Sequence, residues 1–238
     1  MTHVAHPYIQ RIGVNRDWRS RWFTTDPKKF REYLRVDAAL RKLLKKRLKG
    51  MSVDAVEIER SEKDIRIIIK TSRPGLIIGR NGDGINALKK EIDLFLRKQK
   101  MSDKPELKID IEEIRSPESS AQIVGQMIAE GLEKRLTFRR VMKQTVEKVM
   151  ANRDVQGVRV ILGGRLGGAD MARKEELKKG RIPLQTLRAD IDFARVEANL
   201  PYGVIGIKVW IYRGQVFEDR KAGQKDQAPR SPSRQSTK

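Results

Sequence analysis

Residues 74–85 read Pro74-Gly75-Leu76-Ile77-Ile78-Gly79-Arg80-Asn81-Gly82-Asp83-Gly84-Ile85, an apolar helical turn broken by closely spaced glycines and resumed by a second amphipathic helix. Gly79 and Gly82 flank two polar residues, so the backbone there can take positive φ and approach a sugar-phosphate chain with no Cβ in the way. Arg80 adds a cation. The amides that open the helix after Gly82 add donors at the positive end of its dipole. Two other phosphate loops are excluded, because G-x-G-x-x-G needs its glycines in another order and the P-loop needs a Gly-Lys-Ser/Thr that is absent. A helix-turn-helix closed by a glycine cap is the plain structural alternative, so the flanks decide.

Upstream, Asp26 reads as an N-cap and Pro27 as a first-turn proline, and over residues 28–49 Val36, Leu40, Leu43, Leu44 and Leu48 recur at a helical period until Gly50 ends it. Residues 53–59 and 65–70 are short and β-branched and read as strands, with Ser61-Glu62 as the turn between them. Beyond the glycines, Ile85, Leu88, Ile92, Phe95 and Leu96 form one helical stripe. Leu107, Ile109 and Ile111 then alternate with Lys108, Asp110 and Glu112 as a last strand. A G-x-x-G between two helices resembles the KH module, whose loop grips about four nucleotides by their backbone. The resemblance implies a mixed sheet with helices on one face over residues 28–115, and Gly79, Arg80, Asn81 and Gly82 as an RNA-binding loop.

A break at Ser116-Pro117 opens a second unit over 116–219. Residues 118–132 and 137–150 predict two helices, the first burying Ile123, Met127 and Ile128 and the second Val141, Met142, Val146 and Val149. Strands are expected over 158–162, through the alternation of Leu187, Ala189, Ile191 and Phe193, and over 204–212. The doublets Gly163-Gly164 and Gly167-Gly168 mark a hairpin or bulged bend. The unit reads as two helices on a mainly antiparallel sheet, and the whole chain as α+β. Residues 1–27 form an arm in which Arg11, Arg16, Arg19 and Arg21 stand among Tyr8, Trp18, Trp22 and Phe23. Such a segment suits either gripping RNA or packing on its own domain. Residues 220–238 carry six basic residues, one acid and no apolar run, and read as a disordered basic tail.

The 238 residues hold 52 Lys+Arg against 31 Asp+Glu, a formal charge of +21 that points to a polyanionic partner. Without cysteine, disulfides and thiolate zinc sites are excluded, and a reducing cytosol is compatible. No apolar run nears the roughly 20 residues that cross a bilayer, and the start has no signal-like apolar stretch, so a cytoplasmic location is expected. No metal or cofactor is expected either.

Across nearly its whole length the chain resembles the family of the bacterial small-subunit ribosomal protein three. The resemblance rests on His6-Pro7, Trp18-Arg19-Ser20-Arg21-Trp22-Phe23, Arg73-Pro74-Gly75, Phe138-Arg139-Arg140 with Lys143, and Gly164-Arg165-Leu166-Gly167-Gly168-Ala169-Asp170. It rests equally on Leu187-Arg188-Ala189-Asp190-Ile191-Asp192 and on Tyr202-Gly203-Val204-Ile205-Gly206-Ile207-Lys208-Val209-Trp210. It implies a type II KH domain followed by a carboxy-terminal α/β domain on the head of the small ribosomal subunit. The implied partners are small-subunit rRNA, mRNA and the neighbouring ribosomal proteins ten and fourteen. It further implies that Arg139, Arg140 and Lys143 line the mRNA entry pore and help open mRNA structure. In agreement, residues 134–148 hold six basic residues against Glu147, and Arg135, Arg139 and Lys143 are spaced by four, as on one helical face. Arg11, Arg19, Arg21, Arg165 and Arg173 are candidate further RNA contacts. The loop departs from the family in having Arg80 beside Asn81 where relatives often have two basic residues. A free KH-domain RNA-binding factor is the alternative function, although no second G-x-x-G stands between helices. A nucleic-acid-processing enzyme is a third: His3 and His6 are the only histidines, and Asp190 with Asp192, two apart on one strand face, form a carboxylate pair that sheet salt bridges more commonly explain. No catalytic residue is assigned.

Overall fold

The computed structural model describes residues 6–61, 64–98 and 106–217; the tail expected over 220–238 lies outside them. The Asp26 side chain accepts the Lys28 amide at 2.9 Å and Pro27 fills the first turn, so α1 starts where its cap signal stands. Preceded by the two-residue strand β1 (Ser20–Arg21), α1 (Pro27–Arg47) leads into β2 (Val53–Arg60), β3 (Asp64–Thr71) and α2 (Pro74–Ile78). A 3-10 turn (Arg80–Gly82), α3 (Asp83–Lys98) and β4 (Glu106–Glu113) follow. The sheet runs β1-β2-β3-β4, with β2 and β3 antiparallel and the outer pairs parallel, which makes it mixed. Val36, Leu40 and Leu44 of α1 and Leu88, Ile92 and Leu96 of α3 close over Ile58, Ile65, Ile67 and Ile69 on one sheet face. The opposite face is a ladder of cross-strand ion pairs: Arg21 with Glu57 and Glu59, Lys70 with Glu57, Arg66 with Asp110 and Lys108 with Asp64.

The second unit begins with a 3-10 turn (Pro117–Ser119), so α4 (Ala121–Glu133) starts three residues later than its pattern predicts, at the cap Ser120, whose hydroxyl accepts the Ile123 amide. After it come α5 (Phe138–Ala151), β5 (Gly157–Gly164), β6 (Arg173–Gly180), β7 (Ala189–Leu200) and β8 (Gly203–Gln215). The sheet order is β6-β5-β8-β7, antiparallel throughout. Both helices pack on one face of it, burying Val124, Ile128, Val141, Val146 and Val149 against Val158, Val160, Leu162, Ile207 and Val209. Two expectations are corrected, and one strand was not foreseen. Met127 is 37% exposed because it points away from the sheet, Leu187 precedes its strand and is 51% exposed, and β6 had no sequence signal at all.

The segment from His6 to Trp22 ties the two units together. Tyr8 packs into a small cluster with Ile191, Phe193, Trp210 and Tyr212 on the sheet face that α4 and α5 leave open. Trp22, further on, donates from Nε1 to buried Asp37 of α1 at 2.7 Å and packs with its ring tilted against Phe30. Between the units, Asp54 of β2 accepts the Ser120 hydroxyl, and Gln126 of α4 donates to the Val53 carbonyl at 2.8 Å.

Candidate nucleic-acid interface

The loop after α2 turns on three left-handed residues: Gly79 (φ +73), Asn81 (φ +51) and Gly82 (φ +82). Gly79, Arg80 and Asn81 are exposed, so the backbone of the turn faces solvent. The close approach that sets its shape involves a residue not singled out from the sequence, Gly84. A Cβ there would stand 2.4 Å from the Ile77 carbonyl oxygen, and one on Gly79 would stand 2.9 Å from the Gly84 amide, whereas Gly82 has open space around it. Helices α2 and α3 therefore meet at van der Waals contact, with the G-x-x-G as the exposed crest. Beside it an open groove of about 730 Å³ follows β4, lined by Ile85, Asn86 and Lys89 from α3 and by Leu107 and Ile109. Its charges are mixed, Arg66 and Lys108 standing against Asp64 and Asp110. The groove therefore offers apolar and hydrogen-bonding surface more than net charge.

A second cationic surface lies on α5. Val141, Met142, Thr145, Val146 and Val149 are buried, which leaves Arg139, Arg140 and Lys143 on the solvent face. Arg139 reaches Glu175 of β6 at 3.5 Å, Arg173 reaches the same carboxylate at 3.3 Å, and both guanidinium groups lie over the Phe138 ring at 5.6 and 5.7 Å. Arg140 and Lys143 make no ion pair among the described residues. The four-residue spacing that joined Arg135 to this face does not hold. Arg135 sits in the connection between α4 and α5 at φ +61, so no helical face links it to Arg139.

The remaining candidates divide. Arg19 is exposed, with its guanidinium 5.6 Å from the Tyr8 ring centroid. Arg21 is held by Asp17, Glu57 and Glu59. Arg165 braces its own glycine loop, donating to the Ala169 carbonyl at 2.9 Å and to Asp170 at 3.0 Å. Arg11 is corrected outright as an RNA contact. It has no exposed surface, and its guanidinium donates to the carbonyls of Pro7, Leu184, Thr186 and Ala189.

Asp190 and Asp192 are likewise taken up: Arg16 reaches them at 3.2 and 3.3 Å and Arg213 at 3.5 and 3.1 Å. Asp192 also accepts the Tyr8 hydroxyl and the Ala121 amide at the start of α4. Burial opposes its ionisation, but Arg16, Arg213 and these two donors hold its carboxyl below the usual carboxylate range. Burial and the nearby Asp192 charge push Asp54 the other way, upward. Among the described residues no group of three or more metal-ligating side chains is gathered, and no helix is long and apolar enough to cross a membrane.

Two family models match the chain. The one described as KH domain covers residues 39–119, and the one described as Ribosomal protein S3, C-terminal domain covers residues 128–211. Curated relatives match over nearly the whole length. The small ribosomal subunit protein uS3 of Caldicellulosiruptor saccharolyticus is 45% identical over 222 residues, 93% of this chain and 96% of its own. That of Endomicrobium trichonymphae is 46% identical over 218 residues, 92% and 90% of the two chains. That of Ruegeria sp. is 45% identical over 235 residues, 96% and 95%.

Proposed function

Because the chain belongs to the small ribosomal subunit protein uS3 family, we propose that it sits on the head of the small subunit and lines the mRNA entry pore with Arg139, Arg140 and Lys143. The family is a structural, non-enzymatic component of that subunit, and its KH domain binds RNA. In this proposal residues 28–115 form the KH unit and residues 116–219 the carboxy-terminal one. The neighbours are ribosomal proteins ten and fourteen, and Arg19 and Arg173 add rRNA contacts.

The pore reading is carried by the solvent face of α5, where Arg140 and Lys143 stand without acidic partners among the described residues, on a helix fixed by its buried opposite side. Such a surface holds phosphates without reading sequence. Opening a duplex beside it exposes single strands, and fixed cations that hold those strands apart reduce the time spent re-paired. The test is elongation across matched messages with and without a stable hairpin, on ribosomes carrying Arg139, Arg140 and Lys143 all changed to Ala. Slowing is expected on the hairpin message alone, with each single change having a small effect because exposed charges are screened. Equal slowing on both messages would indicate an assembly defect, and unchanged rates would make α5 an ordinary solvated helix.

A further inference from the structure

We propose that the solvent face of α1 is a second RNA-binding surface, one that lies along the phosphate backbone of double-helical RNA independently of the G-x-x-G loop. Residues 28–49 carry ten cations against Glu32 and Asp37, and Asp37 is buried with Arg60 at 2.7 Å. Lys28, Arg31, Arg35, Lys42, Lys45 and Lys46 are all exposed, and among the described residues none of the six makes an ion pair. At 3.6 residues per turn they fall within an arc of about 100°, opposite the buried Val36, Leu40 and Leu44, along a helix about 30 Å long.

Two features set this stripe apart from an ordinary solvated face. The cations of the neighbouring sheet face, exposed Arg21, Arg66 and Lys108 and half-buried Lys70, are each matched by a carboxylate. Among the described residues the stripe has no such partner, although like charges three and four residues apart repel along a helix. Lys45 and Lys46 sit at the carboxy-terminal end, where the helix dipole favours them. Lys28 and Arg31 sit at the amino-terminal end, where it does not, and no acid occupies the first turn. The feature common to all six is their side of the helix, as a polyanion lying along that side requires.

The occupant follows from what the stripe lacks. A membrane-surface helix needs an apolar face to insert, and here that face is already buried in the core. A single-strand site needs stacking rings along its groove, whereas the cationic arc itself is straight and contains none. The backbone of a rigid duplex, read through charge alone, fits. The inference deepens the ribosomal reading, and it is tested on the free chain so that its failure leaves the hairpin experiment on α5 untouched.

The experiment measures binding of the full chain to a blunt RNA duplex of about 16 base pairs as a function of salt. Changing Lys42, Lys45 and Lys46 to Gln, which keeps helix propensity, should weaken duplex binding about tenfold or more at low salt and flatten the log-log salt dependence by roughly two to three. Arg31→Gln with Arg35→Gln, in the other half of the stripe, should act in the same direction and guards against a local folding defect. A charge-matched control in which Arg66, Lys70 and Lys108 become Gln should leave the slope near that of the parent, as should Gly82→Asp. Equal flattening by the control would reduce the effect to net charge and overturn the proposal. So would an unchanged slope in both stripe variants, or stripe-dependent binding to phosphatidylserine vesicles without stripe-dependent binding to the duplex.

Discussion

Asp192 is 4% exposed and gathers Tyr8, Arg16, Ala121 and Arg213 from three separate parts of the chain. Its removal would strand two arginines in a partly buried junction, so Asp192→Ala should cost about 3–5 kcal/mol in chemical denaturation. The pH dependence has a definite sign. The folded carboxyl is held below its unfolded value of about 4, so its contribution is complete above that pH and is lost as pH falls through the folded pKa. The stability gap between the parent and Asp192→Asn should therefore be widest near neutrality and narrow below about pH 4; a gap independent of pH would show that charge is not what the residue contributes. Arg11 marks the limit of what can be read at this scale. A cation among aromatics signals RNA and packing alike, and only the fold reveals four carbonyls around its guanidinium.

Helix α3 and the turn before it separate two roles of glycine that the sequence presents as one. A Cβ on Gly84 would collide with two backbone carbonyl oxygens, at 2.4 and 2.9 Å, so Gly84→Ala should destabilise by about 1–3 kcal/mol as α2 and α3 are forced apart. Gly82 meets nothing within 4 Å but needs φ +82, a region Asp tolerates at a cost of about 1 kcal/mol. Gly82→Asp should therefore weaken binding of single-stranded RNA while shifting the melting temperature little; unaltered affinity would remove the loop from the interface. The periodicity of α1, α3, α4, α5 and β4 was legible because each has one face in a core, and β2 and β3 were legible as short β-branched runs. Strand β6 was not, since six of its eight residues are charged and only Leu177 turns to the core. At a sheet edge such a strand needs few apolar residues, and its lysines discourage pairing with another chain. The α5 cations were legible as a cluster, but the sharing of Glu175 between Arg139 and Arg173 was not, because both that carboxylate and Arg173 arrive from β6.

At the scale of the molecule, a net charge of +21 on a chain with two well-formed cores is sustained by what it binds. Residues 220–238 contribute six basic residues and one acid. Deleting residues 222–238 should leave the melting temperature unchanged and lower RNA affinity chiefly at low salt, as loss of diffuse charge does; a fall in melting temperature would instead show that this segment packs. The α+β class and the two-unit order could be read in advance, but the fastening of one unit to the other could not, because its contacts join residues far apart in sequence. Tyr8 and Asp192 are 184 positions apart, and Arg11 and Ala189 are 178 apart. That separation gives the order of synthesis a meaning. The segment around Tyr8 and Arg11 leaves the ribosome first, yet the surface that receives it, with Phe193 and Trp210, is among the last made. A nascent chain must therefore carry its aromatic and cationic beginning undocked until β8 emerges. Closure of that segment marks a chain made through β8, and one halted before β8 keeps the segment around Tyr8 and Arg11 open to chaperones and proteases.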